Sequence, residues 1–264
     1  MIYTSYEMVR DCRANRPEGW MYFVANYVPV IRKLLTHYAG DRAPAVEQAL
    51  AALCKPELEL FADREPAPER CFLGELRQHL LAGLPLSEAA VPLDLETLSA
   101  AFPSLTLVEK QAVWLETMGY PASAAGAMLR MAPDTVEKIR QRGAELLRGS
   151  VDTWSRTLLA ENGAALGRAA TAAHSQECLP SKTFLDVLDG RSTWRTREQN
   201  ERHILTCWHC IDHFCRMAET IELLRGIAPL TEAEAQPIVE RLGIRVEKRA
   251  AWKKWFSPAS TSKP

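Results

Sequence analysis

Apolar and polar positions follow a helical period over much of the chain, most clearly between residues 104 and 150. One stripe of small and apolar residues recurs there at helical spacing, formed by Val136, Ile139, Gly143, Leu146 and Leu147. The outward face of the same helix carries Thr135, Lys138, Gln141 and Arg142. A shorter apolar segment and a turn precede this helix. Residues 104–150 are therefore predicted to form a helix-turn-helix whose outward face fits a groove of DNA.

The same period predicts an all-α fold built from short helical segments with proline-rich connections. Residues 1–84 are predicted to be a small helical bundle, and residues 85–103 a linker with one short helix near 93–101. The alanine-rich residues 151–176 are predicted to be a linker helix. Residues 177–227 suit three further helices, with Gly190 as a C-cap, and residues 228–264 a basic amphipathic tail.

Two aromatic segments each allow a second interpretation. The aromatic residues between 20 and 38 lie beside Arg32, Lys33 and His37 and would suit stacking on unpaired bases, but an aromatic stripe at helical spacing favours a core. The tail places two tryptophans and a phenylalanine beside two lysines between residues 252 and 256. That composition would suit an anionic surface, although a docked terminal helix with solvated lysines is favoured.

The net charge of the chain limits the kinds of contact that it can make with nucleic acid. A net charge of -1 excludes a protein that coats nucleic acid or membrane over its whole surface, so contacts must come from local patches. No apolar run approaches the roughly 18 residues of a membrane span. Glu7, Arg10 and Asp11 interrupt the N-terminus, which therefore lacks the apolar region of a signal peptide. The expected location is the cytoplasm.

The most specific chemical pattern is a cluster of metal-ligating residues. His203 and Cys207 are four residues apart and share a helical face, and Cys210 completes a Cys-x-x-Cys spacing. A structural zinc site takes four ligands, and Cys178 is the preferred fourth; Cys215, His209 and His213 are rivals. In a reducing compartment such clustering favours metal over disulfides. The alternative is a buried helix with small apolar thiols and surface imidazoles.

Residues 177–227 resemble the zinc-binding anti-sigma domain. The resemblance rests on His203-x-x-x-Cys207-x-x-Cys210 with an upstream cysteine, and on the segment FLDVLDGR, which is similar to the first helix and turn of that family. Members of the family bind a sigma factor and keep it from RNA polymerase, and some release it when the zinc thiols are oxidised. The resemblance implies zinc as cofactor and a sigma or anti-sigma protein as partner.

The helix-turn-helix resembles region 4 of sigma factors of the extracytoplasmic-function type. Gly119-Tyr120, the segment from Ala124 to Leu129, and Thr135-Val136 take the places of that family's motif without a gap. The resemblance implies that Thr135 contacts a phosphate and that Lys138, Gln141 and Arg142 reach the groove. The family has an acidic residue near Ala124 and a glycine where Arg130 stands, so a strained or altered turn is expected.

Residues 1–84 resemble region 2 of the same sigma factors more loosely. Val46-Glu47-Gln48 lies near the place of a polymerase-binding motif, and ERCFLGELRQHLL takes the place of an aromatic segment. The basic, aromatic helix that opens promoter DNA has no counterpart after Leu81. A degenerate module that docks on RNA polymerase or on its neighbours is expected.

These patterns predict a transcription regulator rather than an enzyme, since the chain has no Gly-rich phosphate loop, nucleophile elbow or His-Glu-x-x-His motif. The leading hypothesis is a sigma-like protein that binds DNA and RNA polymerase core, with the zinc domain masking the recognition helix until Cys207 or Cys210 is oxidised. The second is a zinc-stabilised adaptor that binds a sigma factor without contacting DNA. A catalytic zinc site comes third.

Overall fold

A computed structural model describes residues 3–40, 46–62, 69–82, 89, 91–151, 155 and 157–244. Every regular element among these residues is helical and none is a strand, so the predicted all-α fold is confirmed. The terminal aromatic and basic segment at residues 252–256 lies outside the described residues. Within the described part of the chain, the helices are all too short or too polar to cross a membrane.

The chain forms two compact units. The first comprises residues 1–84 and 223–264, and the second Pro85–Glu222. The helices of the first unit are α1 (Ser5–Arg13), α2 (Pro17–Ala39), α3 (Val46–Leu53), α4 (Glu69–Ala82) and α13 (Glu232–Arg241). The second contains α5 (Leu95–Ala101), α6 (Leu107–Thr117), α7 (Ala122–Leu129), α8 (Pro133–Arg148), α9 (Leu158–Ala172), α10 (Ser181–Leu188), α11 (Trp194–Thr206) and most of α12 (Trp208–Leu224).

The first unit is built around the long helix α2. Pro17 occupies its first turn, where a missing amide hydrogen costs nothing, and the side chains that follow are apolar on nearly every face. Trp20, Phe23 and Tyr27 are buried and make edge contacts with the rings of Phe61 and Phe72. The core interpretation of this aromatic segment is therefore confirmed.

Helix α13 completes the first unit. The amide of Leu230 donates to the carbonyl of Ala25 at 2.8 Å, just before α13 begins. Ala235 and Val239 are fully buried in the same core as α2. The amphipathic tail predicted at residues 228–264 thus contains a docked helix.

The second unit is organised around α6. Trp114 and Leu115 are fully buried, and α7, α8, α9 and α11 all contact this helix. Asn162 of α9 accepts from the amide of Leu93 and donates to the carbonyl of Val91, both at 2.8 Å, and so fixes the segment that leads into α5. The predicted linker at residues 85–103 therefore contributes α5 to a packed unit.

The contacts join segments that the sequence pattern separates. The helix-turn-helix, the predicted linker helix α9 and the Cys/His segment lie in one unit, and the tail helix α13 lies in the other. A short amphipathic helix must bury its apolar face against another element, and the period of a sequence does not say which.

Candidate functional site: a Cys/His cluster beside a helix-turn-helix

Three of the predicted ligands are positioned by the junction between α11 and α12. His203 lies in the last turn of α11, Cys207 caps this helix in an extended conformation, and Cys210 lies in the first turn of α12. The amide of Cys207 donates to the carbonyl of His203 at 3.1 Å, and the carbonyl of Cys207 accepts from Ile211 at 3.0 Å. The backbone therefore passes from one helix to the next within a single residue, which turns the three side chains toward each other.

Cys178 joins this group from a separate segment before α10. Its amide donates to the carbonyl of Ser175 at 3.1 Å, which makes a tight turn. The Sγ atoms of Cys178 and Cys207 are 3.8 Å apart. The ligand atoms of Cys178, His203, Cys207 and Cys210 all lie within 4.8 Å of one another. All four predicted ligands thus meet in one cluster.

The cluster fits a tetrahedral metal ion. Zinc–sulfur bonds of about 2.3 Å place ligand sulfurs about 3.8 Å apart, which is the separation of Cys178 and Cys207. Nε2 of His203 is buried and has no hydrogen-bond partner among the described residues. A buried polar nitrogen of that kind needs a partner, and a metal ion within the cluster would provide one.

The three thiols of the cluster differ in acidity. Burial raises the pKa of Cys210 to about 12 and also raises that of Cys207. Burial acts in the same direction on Cys178, but hydrogen bonds from Ser175, Cys207 and Cys210 together outweigh it and lower the pKa of this thiol. Adjacent thiols cannot all ionise without a compensating charge, and a divalent cation supplies it.

The rival ligands lie outside this group of four. His213 stacks on Phe184 and has Nε2 2.9 Å from the hydroxyl of Ser181, and burial together with Arg216 lowers its pKa to about 3. Cys215 is buried and its Sγ is 3.8 Å from the carbonyl of Gln111. His213 therefore contacts α10 and Cys215 contacts α6, so both side chains pack α12 against a neighbouring helix.

His209 belongs to a second group that the sequence analysis did not predict. Ligand atoms of His174, Cys178 and His209 lie within 4.8 Å of one another, so Cys178 is common to both groups. Sequence spacing did not indicate His174, because it follows α9 and is far along the chain from His209.

The helix-turn-helix consists of α6, α7 and α8, with the predicted buried and exposed faces of α8. Val136, Ile139, Gly143 and Leu147 are buried, and Leu146 is half-buried. Thr135, Lys138, Gln141 and Arg142 are all exposed. Arg142 forms an ion pair with Glu109 of α6 at 2.9 Å. The four predicted DNA-contact residues therefore share one accessible face.

The turn between α7 and α8 has the backbone conformation that the family resemblance led us to expect. Arg130 has φ +58° and ψ +44°, in the left-handed region, where a residue with a Cβ is strained. Its guanidinium donates to the carbonyl of Leu188 at 3.1 Å. The side chain thus makes a contact at a position where glycine would be better suited to the backbone.

The segment that carries Cys207 and Cys210 packs on α6. Trp208, between Cys207 and Cys210, stacks on Trp114 with ring centroids 5.3 Å apart. Lys110 donates to the carbonyl of Leu205 at 3.0 Å. Lys138 and Arg142 are both exposed, so the expectation that the zinc domain masks them is wrong for this structure.

A buried polar network strengthens the same contact. Nε1 of Trp114 donates to Asp212 at 3.1 Å, and Asp212 pairs with Arg216 at 2.6 Å. The hydroxyl of Tyr120, in the Gly-Tyr pair before α7, donates to the carboxylate of Glu219. Helix α12 therefore contacts both α6, through Trp114, and the turn between α6 and α7, through Tyr120.

Comparison with models of protein families, with curated proteins and with solved structures gives no match. The functional interpretation therefore follows from the residues and geometry of this chain.

Proposed function

We propose that this protein is a sigma-like transcription regulator that binds DNA through the outward face of α8. The observation that carries the proposal is the exposure of Thr135, Lys138, Gln141 and Arg142 on one face of the last helix of a helix-turn-helix. A helix in this position lies in the major groove of DNA in proteins of this build, and cationic and amide side chains contact phosphates and base edges. RNA polymerase core is the second proposed partner.

In this proposal the Cys/His cluster holds zinc and stabilises the helix-turn-helix through the contact between α12 and α6. A closed Cys₃His site has a structural role, and the ion contributes folding free energy where the ligands come from separate segments. Trp208 links the cluster to α6, since it lies in sequence between the proposed ligands Cys207 and Cys210 and stacks on Trp114. Loss of the ion, or oxidation of Cys207 or Cys210, would loosen α6 and so the position of α8.

A second candidate function is a zinc-stabilised adaptor that binds a sigma or anti-sigma protein without contacting DNA. The ion pair between Arg142 and Glu109 favours it, because it neutralises one of the two cations on the α8 face. Asp134 is exposed in the first turn of α8 and would repel a phosphate there.

Charge reversal on α8 separates the two functions. The variant Lys138→Glu with Arg142→Glu is compared with Arg168→Glu with Lys182→Glu, which makes the same change of charge at exposed positions of the same unit. The probe is a short fluorescent duplex of mixed sequence, titrated at several salt concentrations. A DNA-binding α8 predicts at least about a tenfold loss of affinity and a salt slope smaller by about 2 for the first variant only.

An equal, small effect of both variants would contradict a specific role of α8 in DNA binding. Pull-down of core RNA polymerase with the same two variants tests the second partner, and retention of polymerase without DNA binding would support the adaptor. Near-ultraviolet circular dichroism confirms that each variant keeps its fold.

A further inference from the structure

His174, Cys178 and His209 form a second group of metal-ligating side chains from three parts of the second unit. His174 lies just after α9, Cys178 in the turn before α10, and His209 in the first turn of α12. One ligand atom from each lies within 4.8 Å of the other two. The group is separate from His203, Cys207 and Cys210 but shares Cys178 with them.

The ring of His209 has a contact with a backbone carbonyl of the kind that metal-bound imidazoles commonly make. Its Nδ1 lies 3.0 Å from the carbonyl oxygen of Ala170. A carbonyl only accepts hydrogen bonds, so Nδ1 carries the proton and Nε2 keeps a free electron pair. Metal-ligating histidines commonly donate their other ring nitrogen to a backbone carbonyl, which fixes the tautomer and the ring plane.

The exposure of the group suits a metal site that is open to solvent on one side. His209 is buried, whereas His174 is exposed and its ring lies 4.8 Å from that of His209, centroid to centroid. Three protein ligands leave one position of a tetrahedral ion for water or a small solute. Imidazole and thiolate select borderline-soft first-row ions such as Zn²⁺ and Co²⁺ over Mg²⁺ or Ca²⁺.

We infer that a second divalent transition-metal ion binds at His174, Cys178 and His209, with Cys178 as a bridging thiolate between the two ions. A thiolate sulfur retains lone pairs after it binds one ion, so one cysteine can serve both sites. The inference assumes the zinc site of the proposed function but not DNA binding. Counting metal ions therefore tests it independently of any DNA assay.

The experiment counts metal on the full-length chain. Protein from which metal has been removed is reconstituted with excess Zn²⁺ under reducing conditions and separated from free metal by gel filtration. The zinc content per chain is then measured by inductively coupled plasma mass spectrometry. The wild-type chain is expected to retain about two equivalents, and His174→Ala about one. His79→Ala, a histidine of α4 in the other unit, is the matched control and should retain about two.

Cadmium substitution tests the bridge itself. Two cadmium ions joined by the sulfur of Cys178 should show scalar coupling in cadmium NMR, and His174→Ala should leave a single uncoupled resonance. Because His174 is exposed, its replacement should not unfold the chain, which circular dichroism checks. One equivalent in the wild type, or two in His174→Ala, would overturn the inference, as would two resonances without coupling.

Discussion

At the scale of single residues, two glycines of α9 provide a matched pair. A Cβ at Gly163 would lie 1.7 Å from the carbonyl oxygen of Thr117 in α6, whereas a Cβ at Gly167 would meet nothing within 4 Å. We expect Gly163→Ala to lower the free energy of unfolding by about 2 kcal/mol or more, since the two backbones must separate. Gly167→Ala should raise it by about 0.5–1 kcal/mol through helix propensity. Urea denaturation measures both, and a loss of stability in both variants would contradict this account.

The strained turn at Arg130 gives a second prediction at this scale. Arg130→Gly and Arg130→Ala both remove the hydrogen bond to Leu188, but only glycine adopts the positive φ without backbone strain. The glycine variant should therefore be more stable than the alanine variant by about 1 kcal/mol. Thermal denaturation of the two variants side by side checks it. Equal stabilities would mean that the turn relaxes when the side chain is shortened.

At the scale of elements, the contact between α12 and α6 depends on Trp208. We expect Trp208→Ala to cost about 3 kcal/mol or more of unfolding free energy, because a buried indole is lost from the stack on Trp114. The same variant should bind metal more weakly, since its neighbours in the chain are Cys207 and His209 and its packing fixes their segment.

Trp194 is the control for this substitution. It lies in the first turn of α11 and is 70% exposed, so Trp194→Ala should change stability by no more than about 0.5 kcal/mol. Competition of each variant with a metal-binding dye, followed by urea denaturation of the metal-loaded protein, measures the two effects. A similar metal affinity in Trp208→Ala and the wild type would show that the stack does not position the ligands.

The sequence pattern predicts those features of the helices and of the cluster that depend on residues close together in the chain. The spacing of His203, Cys207 and Cys210 predicts that their side chains meet because few residues separate them, although Cys207 caps the end of α11 and Cys210 lies in the next helix. The outward and buried faces of α8 follow from the helical period. His174 and His209 are far apart in sequence and meet only because α9 and α12 pack together, and no periodicity contains that information.

At the scale of the whole molecule, removal of the proposed zinc ion should affect the two units differently. The cluster draws its ligands from the turn before α10 and from α11 and α12, all of which lie in the second unit. Without an ion, His203 keeps a buried nitrogen that has no partner among the described residues, and the thiols lose the charge that holds them together. We expect chelation to reduce hydrogen-exchange protection in α11, the start of α12 and α6, and to leave α1 and α2 nearly unchanged.

Two serine variants make this comparison specific. Cys207→Ser removes a ligand and should reproduce the effect of chelation, whereas Cys54→Ser replaces a half-buried cysteine that lies outside the cluster and should not. Because Trp114 and Tyr120 donate hydrogen bonds to α12, the loss of protection should extend to α6 and to the turn before α7, and the proposed DNA binding should weaken in the same variants. Protection that falls in α11 and α12 while α6 and DNA affinity stay unchanged would separate the metal site from the helix-turn-helix. In that case the ion would stabilise its own segment only, and control of α8 would have to act through another surface.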